Sequence, residues 1–179
     1  NDATPDLVGK VPAGSTATVT INGQTYPVTV APDGSWTFTQ PTNLPDGTYT
    51  PVLNVTTNGQ TSSVPITPFT IDTVPPTVVV TGASTAALTA GQSTKLTFTV
   101  SEATTDLTDA DFAVAGDTLG PLQQSATDPK VYTATFTATP GTTANTTASV
   151  SVASDKFADA AGNLNKDGAD TNNTWSSTV

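Results

Sequence analysis

The residues best suited to chemistry in this chain lie in one loop near its C-terminal end, residues 154–170. The loop holds four aspartates, two asparagines and two glycines between two runs typical of β-strands. Carboxylate and amide oxygens at alternate positions suit a hard divalent cation, because calcium takes six to eight oxygen ligands in a flexible shell. The sequence therefore predicts a calcium-binding loop.

The spacing within this loop matches part of an EF-hand. Oxygen-bearing side chains at positions 1, 3 and 5 are Asn163, Asn165 and Asp167, and Gly168 occupies position 6. Position 12 is Thr174 rather than a bidentate glutamate, and the flanking sequences do not have a helical pattern. We therefore expect a calcium loop carried by a β domain, not an EF-hand.

The composition favours strands and acidic turns. The net charge is −10, although only 11% of the residues are charged, and 40 of the 179 residues are threonine. Threonine fits the pleated, half-buried surface of a sheet because its side chain is β-branched. The acids are 14 aspartates and one glutamate. Aspartate prefers turns, so we expect these charges in loops.

Several kinds of catalysis are excluded by the residues that the sequence lacks. Without histidine there is no Ser-His-Asp triad, imidazole base or histidine-bound zinc. Without cysteine there is no thiolate nucleophile, disulfide or cysteine zinc site. A pair of carboxylates can hydrolyse a glycoside, but Glu102 is the only glutamate and no aspartate pair stands out. We predict that the chain is not an enzyme.

The charge and the hydropathy also bear on partners and location. Acidity argues against nucleic acid, whose phosphates are bound by lysine and arginine. No apolar run approaches the roughly 20 residues of a membrane helix, and no signal peptide is present. We therefore expect an interior piece of a longer extracellular protein that does not insert into a membrane.

A proline-rich segment, residues 66–77, divides the chain. Its prolines forbid helix and favour an extended linker. On this basis we predict one domain over residues 1–71 and a second over residues 72–179. The chain begins with a sequence similar to part of this proline-rich segment, which indicates that such domains are repeated in tandem.

Both halves are predicted to be all-β. Residues 16–21 alternate threonine with Ala17, Val19 and Ile21, the period of a half-buried strand, and residues 94–100 repeat the pattern. Short strands at this spacing, separated by turn signals such as Asn-Gly, suggest two tandem Ig-like β-sandwiches.

In such a sandwich, the N-terminus and two of the loops share one pole. The acids of the second domain would therefore meet at that pole and would repel one another unless a cation were bound. The candidate calcium ligands are Asp72, Glu102, Asp106, Asp155, Asp159, Asn163, Asn165, Asp167 and Asp170. Aspartate and asparagine also cap turns and keep secreted proteins soluble, which is the alternative for each of them.

The chain resembles the tandem bacterial Ig-like repeats of giant secreted adhesins, known as RTX adhesins or biofilm-associated proteins. The phrases that carry the resemblance are Asp33-Gly34-Ser35-Trp36, Leu44-Pro45-Asp46-Gly47-Thr48-Tyr49, Asp72-Thr73-Val74-Pro75-Pro76-Thr77, Leu96-Thr97-Phe98-Thr99-Val100-Ser101-Glu102 and Phe157-Ala158-Asp159-Ala160-Ala161-Gly162-Asn163.

The resemblance implies a monomeric, non-catalytic extender on the bacterial cell surface. In that family, neighbouring repeats in the same chain are stiffened by calcium at their junctions. The ligands implied by position are Asp72, Glu102, Asp159 and Asn163.

The alternative is a binding module of the adhesin for a cell-surface glycan or protein. Calcium can ligate sugar hydroxyls directly, and an exposed Tyr26, Tyr132 or Trp175 could stack on a sugar ring. Exposed aromatic residues would favour this alternative, and buried ones would favour the extender.

Overall fold

The computed structural model describes residues 2–83, 88–104, 106–139, 147–168 and 170–178. The chain forms two compact units, Asn1–Thr73 and Val74–Val179. The described residues form strands, with a single 3₁₀ turn at Asp109–Asp111 and no α-helix. They contain no helix that is long and apolar enough to cross a membrane. The predicted all-β class is confirmed.

The described part of the first unit, residues 2–73, is built from eight strands in three sheets. The strands are β1 (Asp6–Lys10), β2 (Thr16–Ile21), β3 (Gln24–Val28), β4 (Ser35–Thr39), β5 (Gly47–Tyr49), β6 (Val52–Thr57), β7 (Gln60–Pro65) and β8 (Phe69–Ile71). The four-stranded sheet has the order β3-β2-β6-β7, while β1 pairs with β4 and β5 pairs with β8. All of these pairs are antiparallel.

Strand β2 contributes alternate side chains to the hydrophobic core of the first unit. Val19 and Ile21 are buried together with Ala17, whereas the alternating threonines face outward. Two-residue turns join β2 to β3 and β6 to β7. In both, asparagine (Asn22 or Asn58) and the glycine after it have positive φ, as a tight hairpin requires.

The turn before β5 is fixed by a tyrosine corner. The hydroxyl of Tyr49 donates a hydrogen bond of 2.7 Å to the carbonyl oxygen of Pro45, four residues upstream. The ring of Tyr49 stacks on Phe69 with the centroids 5.7 Å apart. The corner therefore fastens the loop to the pair formed by β5 and β8.

Removing this hydroxyl should weaken the first unit modestly. Tyr49→Phe deletes the bond to Pro45 but keeps the ring, so we expect a loss of about 1 kcal/mol in the free energy of unfolding. Urea denaturation measures the change. The matched control is Tyr26→Phe, since the ring of Tyr26 packs on Phe38. Equal losses in the two variants would contradict a role for the corner.

The residues of the second unit that the structure describes form two sheets packed face to face. Its strands are β9 (Val78–Gly82), β10 (Ser93–Val100), β11 (Phe112–Ala115), β12 (Thr118–Leu119), β13 (Gln123–Gln124), β14 (Val131–Thr137), β15 (Thr147–Val152) and β16 (Thr174–Thr178). One sheet has the order β12-β14-β10-β9, with β13 also paired to β14, and the other has the order β11-β15-β16.

Aromatic pairs join the two sheets of this unit. Phe98 of β10 meets Phe112 of β11 at 4.5 Å between centroids, and Phe136 of β14 meets Trp175 of β16 edge-on at 5.0 Å. All four side chains are buried. Burial of such rings supplies much of the hydrophobic stabilisation of a β-sandwich.

Candidate metal centre

The loop between β15 and β16 is held from inside by a buried asparagine. Asn165 is fully buried, and its Oδ1 accepts hydrogen bonds from the backbone N–H groups of Lys156 (2.6 Å) and Phe157 (3.1 Å). Its Nδ2 donates to the carbonyl of Ala153 (2.8 Å) and to Oδ2 of Asp167 (2.6 Å). Asn165 thus folds the loop back on itself.

Asp167 extends this bracing to the first strand of the unit. It is fully buried, and its Oδ1 accepts a 2.7 Å hydrogen bond from the backbone N–H of Val78 in β9. Asn165 and Asp167 occupy positions that match an EF-hand. Their side-chain oxygens accept hydrogen bonds from backbone N–H groups and from a neighbouring side-chain amide. The structure gives Asn165 and Asp167 an architectural role that the spacing did not predict.

Two further candidates lie at the surface of the loop. Asp155 forms an exposed ion pair with Lys166, with 2.5 Å between Oδ1 and Nζ. Such exposed pairs contribute little to stability. Asp170 is also exposed, and its backbone N–H donates to the carbonyl of Asp167.

A second loop, after β10, is tied to the first by Thr104 and Asp106. The carboxylate of Asp106 accepts a bifurcated hydrogen bond from the N–H of Ala158, 3.1 Å to each oxygen, and a 2.6 Å hydrogen bond from the hydroxyl of Thr104. That hydroxyl is also 2.5 Å from the carbonyl oxygen of Ala158, and Thr104 forms a β-bridge with Asp159. These contacts fix Asp159 against the loop that carries Glu102.

Asp159 is buried and its orientation is fixed by its own turn. Oδ1 accepts from the N–H groups of Ala161 (2.8 Å) and Asn163 (2.9 Å), and Oδ2 accepts from Nδ2 of Asn163 (2.8 Å). Burial raises the pKa of Asp159, but the hydrogen bonds from Asn163, Ala161 and Gly162 outweigh it and hold that pKa below its ordinary value. The carboxylate is therefore ionised at neutral pH, as a calcium ligand must be.

Three of the nine candidate ligands converge. One ligand atom from each of Asp72, Glu102 and Asp159 lies within 4.8 Å of the others, with Asp159 buried and the other two half-buried. Calcium–oxygen distances are 2.3–2.6 Å, so oxygens on opposite sides of one calcium are about 5 Å apart. A carboxylate has about four lone-pair sites, so Asp159 can accept its hydrogen bonds and still ligate. The three carboxylates, called the acidic triad below, therefore suit a divalent cation.

Asn163 is the fourth ligand that the family resemblance implies. It is buried, and its backbone N–H and its Nδ2 both donate to the carboxylate of Asp159. In this position it orients Asp159.

Sequence reasoning missed two residues that organise the site. Thr104 is 2% exposed and joins the two loops. Asn173 is buried, and its Nδ2 donates to the carbonyls of Val152 (2.7 Å) and Asp167 (2.9 Å). Neither residue belongs to a motif, because each acts through contacts with segments distant in sequence.

Comparison with known proteins identifies two domains. Residues 1–73 and residues 72–176 match two different family models, each described as a bacterial Ig-like domain. The second match includes all three residues of the acidic triad. A search of curated proteins found no match. Such domains are typically non-catalytic structural modules, and they usually occur in surface or extracellular proteins. The chain belongs to the bacterial Ig-like domain family and contains two such domains in tandem.

Proposed function

We propose that this chain is a non-catalytic extender segment of a bacterial surface adhesin, stiffened by calcium where its two domains join. The observation that carries the proposal is the convergence of Asp72, Glu102 and Asp159. All three residues lie within residues 72–176, which match one bacterial Ig-like domain, and Asp72 is the first residue of that match. A cation bound by all three would tether Asp72 to the loops that carry Glu102 and Asp159.

The part of the predicted linker that follows strand β8, residues 73–76, favours a stiff connection. At its start, Oδ1 of Asp46 accepts hydrogen bonds from the N–H (3.0 Å) and the hydroxyl (2.9 Å) of Thr73. At its end, the carbonyl of Pro76 accepts from the N–H of Lys166 at 3.0 Å. The two residues between these anchors are Val74 and Pro75, and proline restricts the backbone of both. Few rotatable bonds are left for calcium to immobilise.

The alternative of a glycan-binding module is less well supported. Tyr132 is 6% exposed and Trp175 is 8% exposed, so neither offers a face on which a sugar could stack. Tyr26 is half-buried and packs on Phe38 with the ring centroids 5.3 Å apart. The buried aromatic residues favour the extender.

Stiffening can be tested with spin labels on the full chain, which has no native cysteine. Ser62→Cys and Ser176→Cys place one label on an exposed site of each domain. We expect the distance distribution between the labels to be narrower in calcium than in EDTA, because the bound ion restrains the linker.

Two matched variants distinguish binding of calcium at the acidic triad from a general effect of the protein's negative charge. Glu102→Gln should abolish the narrowing, whereas Asp109→Asn, at an exposed acid outside the triad, should retain it. An equally broad distribution with and without calcium would show that the junction is not stiffened.

A further inference from the structure

The segment that borders β14 in the second domain leaves the ladder between β12 and β13. At the end of β12, Leu119 lies opposite Phe136, and at the start of β13, Gln123 lies opposite Thr133. Between these two pairs the bordering segment has one residue more than β14, which is the arrangement of a β-bulge. Pro121 lies in this interval and has no backbone N–H, and prolines within sheets are found at such bulges.

The backbone around the bulge faces a cavity. The N–H of Gly120 donates to the carbonyl of Thr135 at 2.8 Å. In an antiparallel ladder the N–H and the C=O of one residue face the same neighbouring strand, so the N–H of Thr135 also points toward the bulge. Gly120, Pro121, Thr133 and Thr135 line a cavity of about 310 Å³ at this place. The bulge therefore opens a concave surface on the sheet.

Lys95 brings a positive charge to this cavity. It lies on β10 directly opposite Thr135, and its side chain is part of the cavity lining. Its neighbours Thr94 and Leu96 are buried, whereas Lys95 is exposed, so its side chain lies on the outer face of the sheet. The ammonium group is therefore accessible to a ligand from solution.

Acidic side chains do not neutralise this charge within the part of the chain that the structure describes. The ion pairs among those residues involve Lys10 and Lys166, and none involves Lys95. The chain has only five lysines, no arginine and a net charge of −10. An ammonium group beside a cavity and without an acidic partner favours an anionic ligand, because charge-assisted hydrogen bonds are stronger than neutral ones.

The other groups at the cavity suit a ligand that is rich in hydroxyls. Thr133 and Thr135 carry hydroxyls and Gln123 carries an amide, and each of these groups can both donate and accept a hydrogen bond. The ring of Pro121 adds a small apolar surface. The volume lies at the lower end of the range of small-molecule sites, roughly 300–1,000 Å³, so the cavity suits a single sugar ring.

We propose that this cavity binds a carboxylate-bearing sugar, such as a uronic acid unit of a polysaccharide. We call it the bulge site and define it by Lys95, Gly120, Pro121, Gln123, Thr133 and Thr135. The ammonium group of Lys95 pairs with the sugar carboxylate, and the threonine hydroxyls and the glutamine amide bind the ring hydroxyls. The proposal goes beyond the extender function. It needs neither calcium nor an exposed aromatic ring, and the bulge site shares no residue with the acidic triad.

Titration of the full chain with galacturonic acid, followed by nuclear magnetic resonance, tests the proposal. We expect millimolar galacturonic acid to shift the backbone amide resonances of Gly120, Gln123, Thr133 and Thr135. Galactose, the neutral sugar of the same configuration, should bind at least about 10-fold more weakly, because a hydrogen bond between charged groups changes affinity by roughly 10- to 100-fold. EDTA is present throughout, because sugar carboxylates bind calcium and a calcium-bridged complex at the acidic triad would also shift resonances.

Three variants assign the binding to the bulge site. Lys95→Gln removes the charge at an exposed position and should weaken binding of galacturonic acid by about 10-fold or more. Lys156→Gln removes an equal charge from another exposed lysine of the same domain and should leave the affinity unchanged. Thr135→Leu replaces an exposed hydroxyl of the cavity by a larger apolar group and should also weaken binding. The amide spectrum of each variant shows whether it is folded.

The proposal would be overturned by the absence of shifts at the bulge site, by equal affinity for galactose, or by equal weakening in Lys95→Gln and Lys156→Gln. Acetate that bound as tightly as galacturonic acid would show a general anion site and would also overturn it. Because the titrations contain EDTA, their outcome is independent of calcium binding. Failure of the bulge site and failure of the calcium-stiffened junction are therefore distinguishable.

Discussion

Asp167→Ala is expected to destabilise the second domain by about 4 kcal/mol, because it leaves two buried donors without acceptors at about 1–3 kcal/mol each. One donor is the backbone N–H of Val78, 2.7 Å from Oδ1, and the other is Nδ2 of Asn165, 2.6 Å from Oδ2. Asp167, Val78 and Asn165 are all fully buried, so water cannot substitute. Urea denaturation of the full chain measures the loss.

The control for this variant lies in the same loop. Asp170 is exposed, so Asp170→Ala removes an equal charge and should change the free energy of unfolding by no more than about 0.5 kcal/mol. If Asp167→Ala cost no more than Asp170→Ala, the bracing role of the buried carboxylate would be wrong.

The fold could be predicted because its signals are local. The alternation along residues 16–21 became the buried and exposed faces of β2, and the Asn-Gly pairs became two-residue turns with positive φ. The strand expected over residues 94–100 was observed over Ser93–Val100. Side-chain alternation and turn conformation depend on neighbours in sequence, so no long-range information was needed.

The site could be predicted only in part, because its contacts are long-range. Asp72, Glu102 and Asp159 lie together, and their binding of a cation stays a prediction. Asn165 and Asp167 have the residue types and spacing of calcium ligands, yet they hold backbone groups of the loop and of Val78. An aspartate can bind a metal or accept hydrogen bonds from the backbone, depending on which groups the fold places beside it. The local spacing of residues does not contain that information.

Calcium should raise the thermal stability of the chain. An ion that binds only the folded state adds about 1.4–2.7 kcal/mol at 10 to 100 times its dissociation constant. For a domain of this size that corresponds to roughly 5–10 °C in the melting temperature. The physical reason is that three carboxylates within 4.8 Å repel one another until a cation neutralises them.

The most direct test of the calcium-stiffened extender is thermal melting in excess calcium and in EDTA at matched ionic strength. We predict a rise of several degrees with calcium that magnesium does not reproduce, because magnesium requires a tighter octahedral shell. Asp159→Ala should abolish the calcium-dependent rise, whatever its own melting temperature, while Asp109→Ala should retain it. No shift at millimolar calcium would contradict calcium binding by the acidic triad and leave its carboxylates as turn residues.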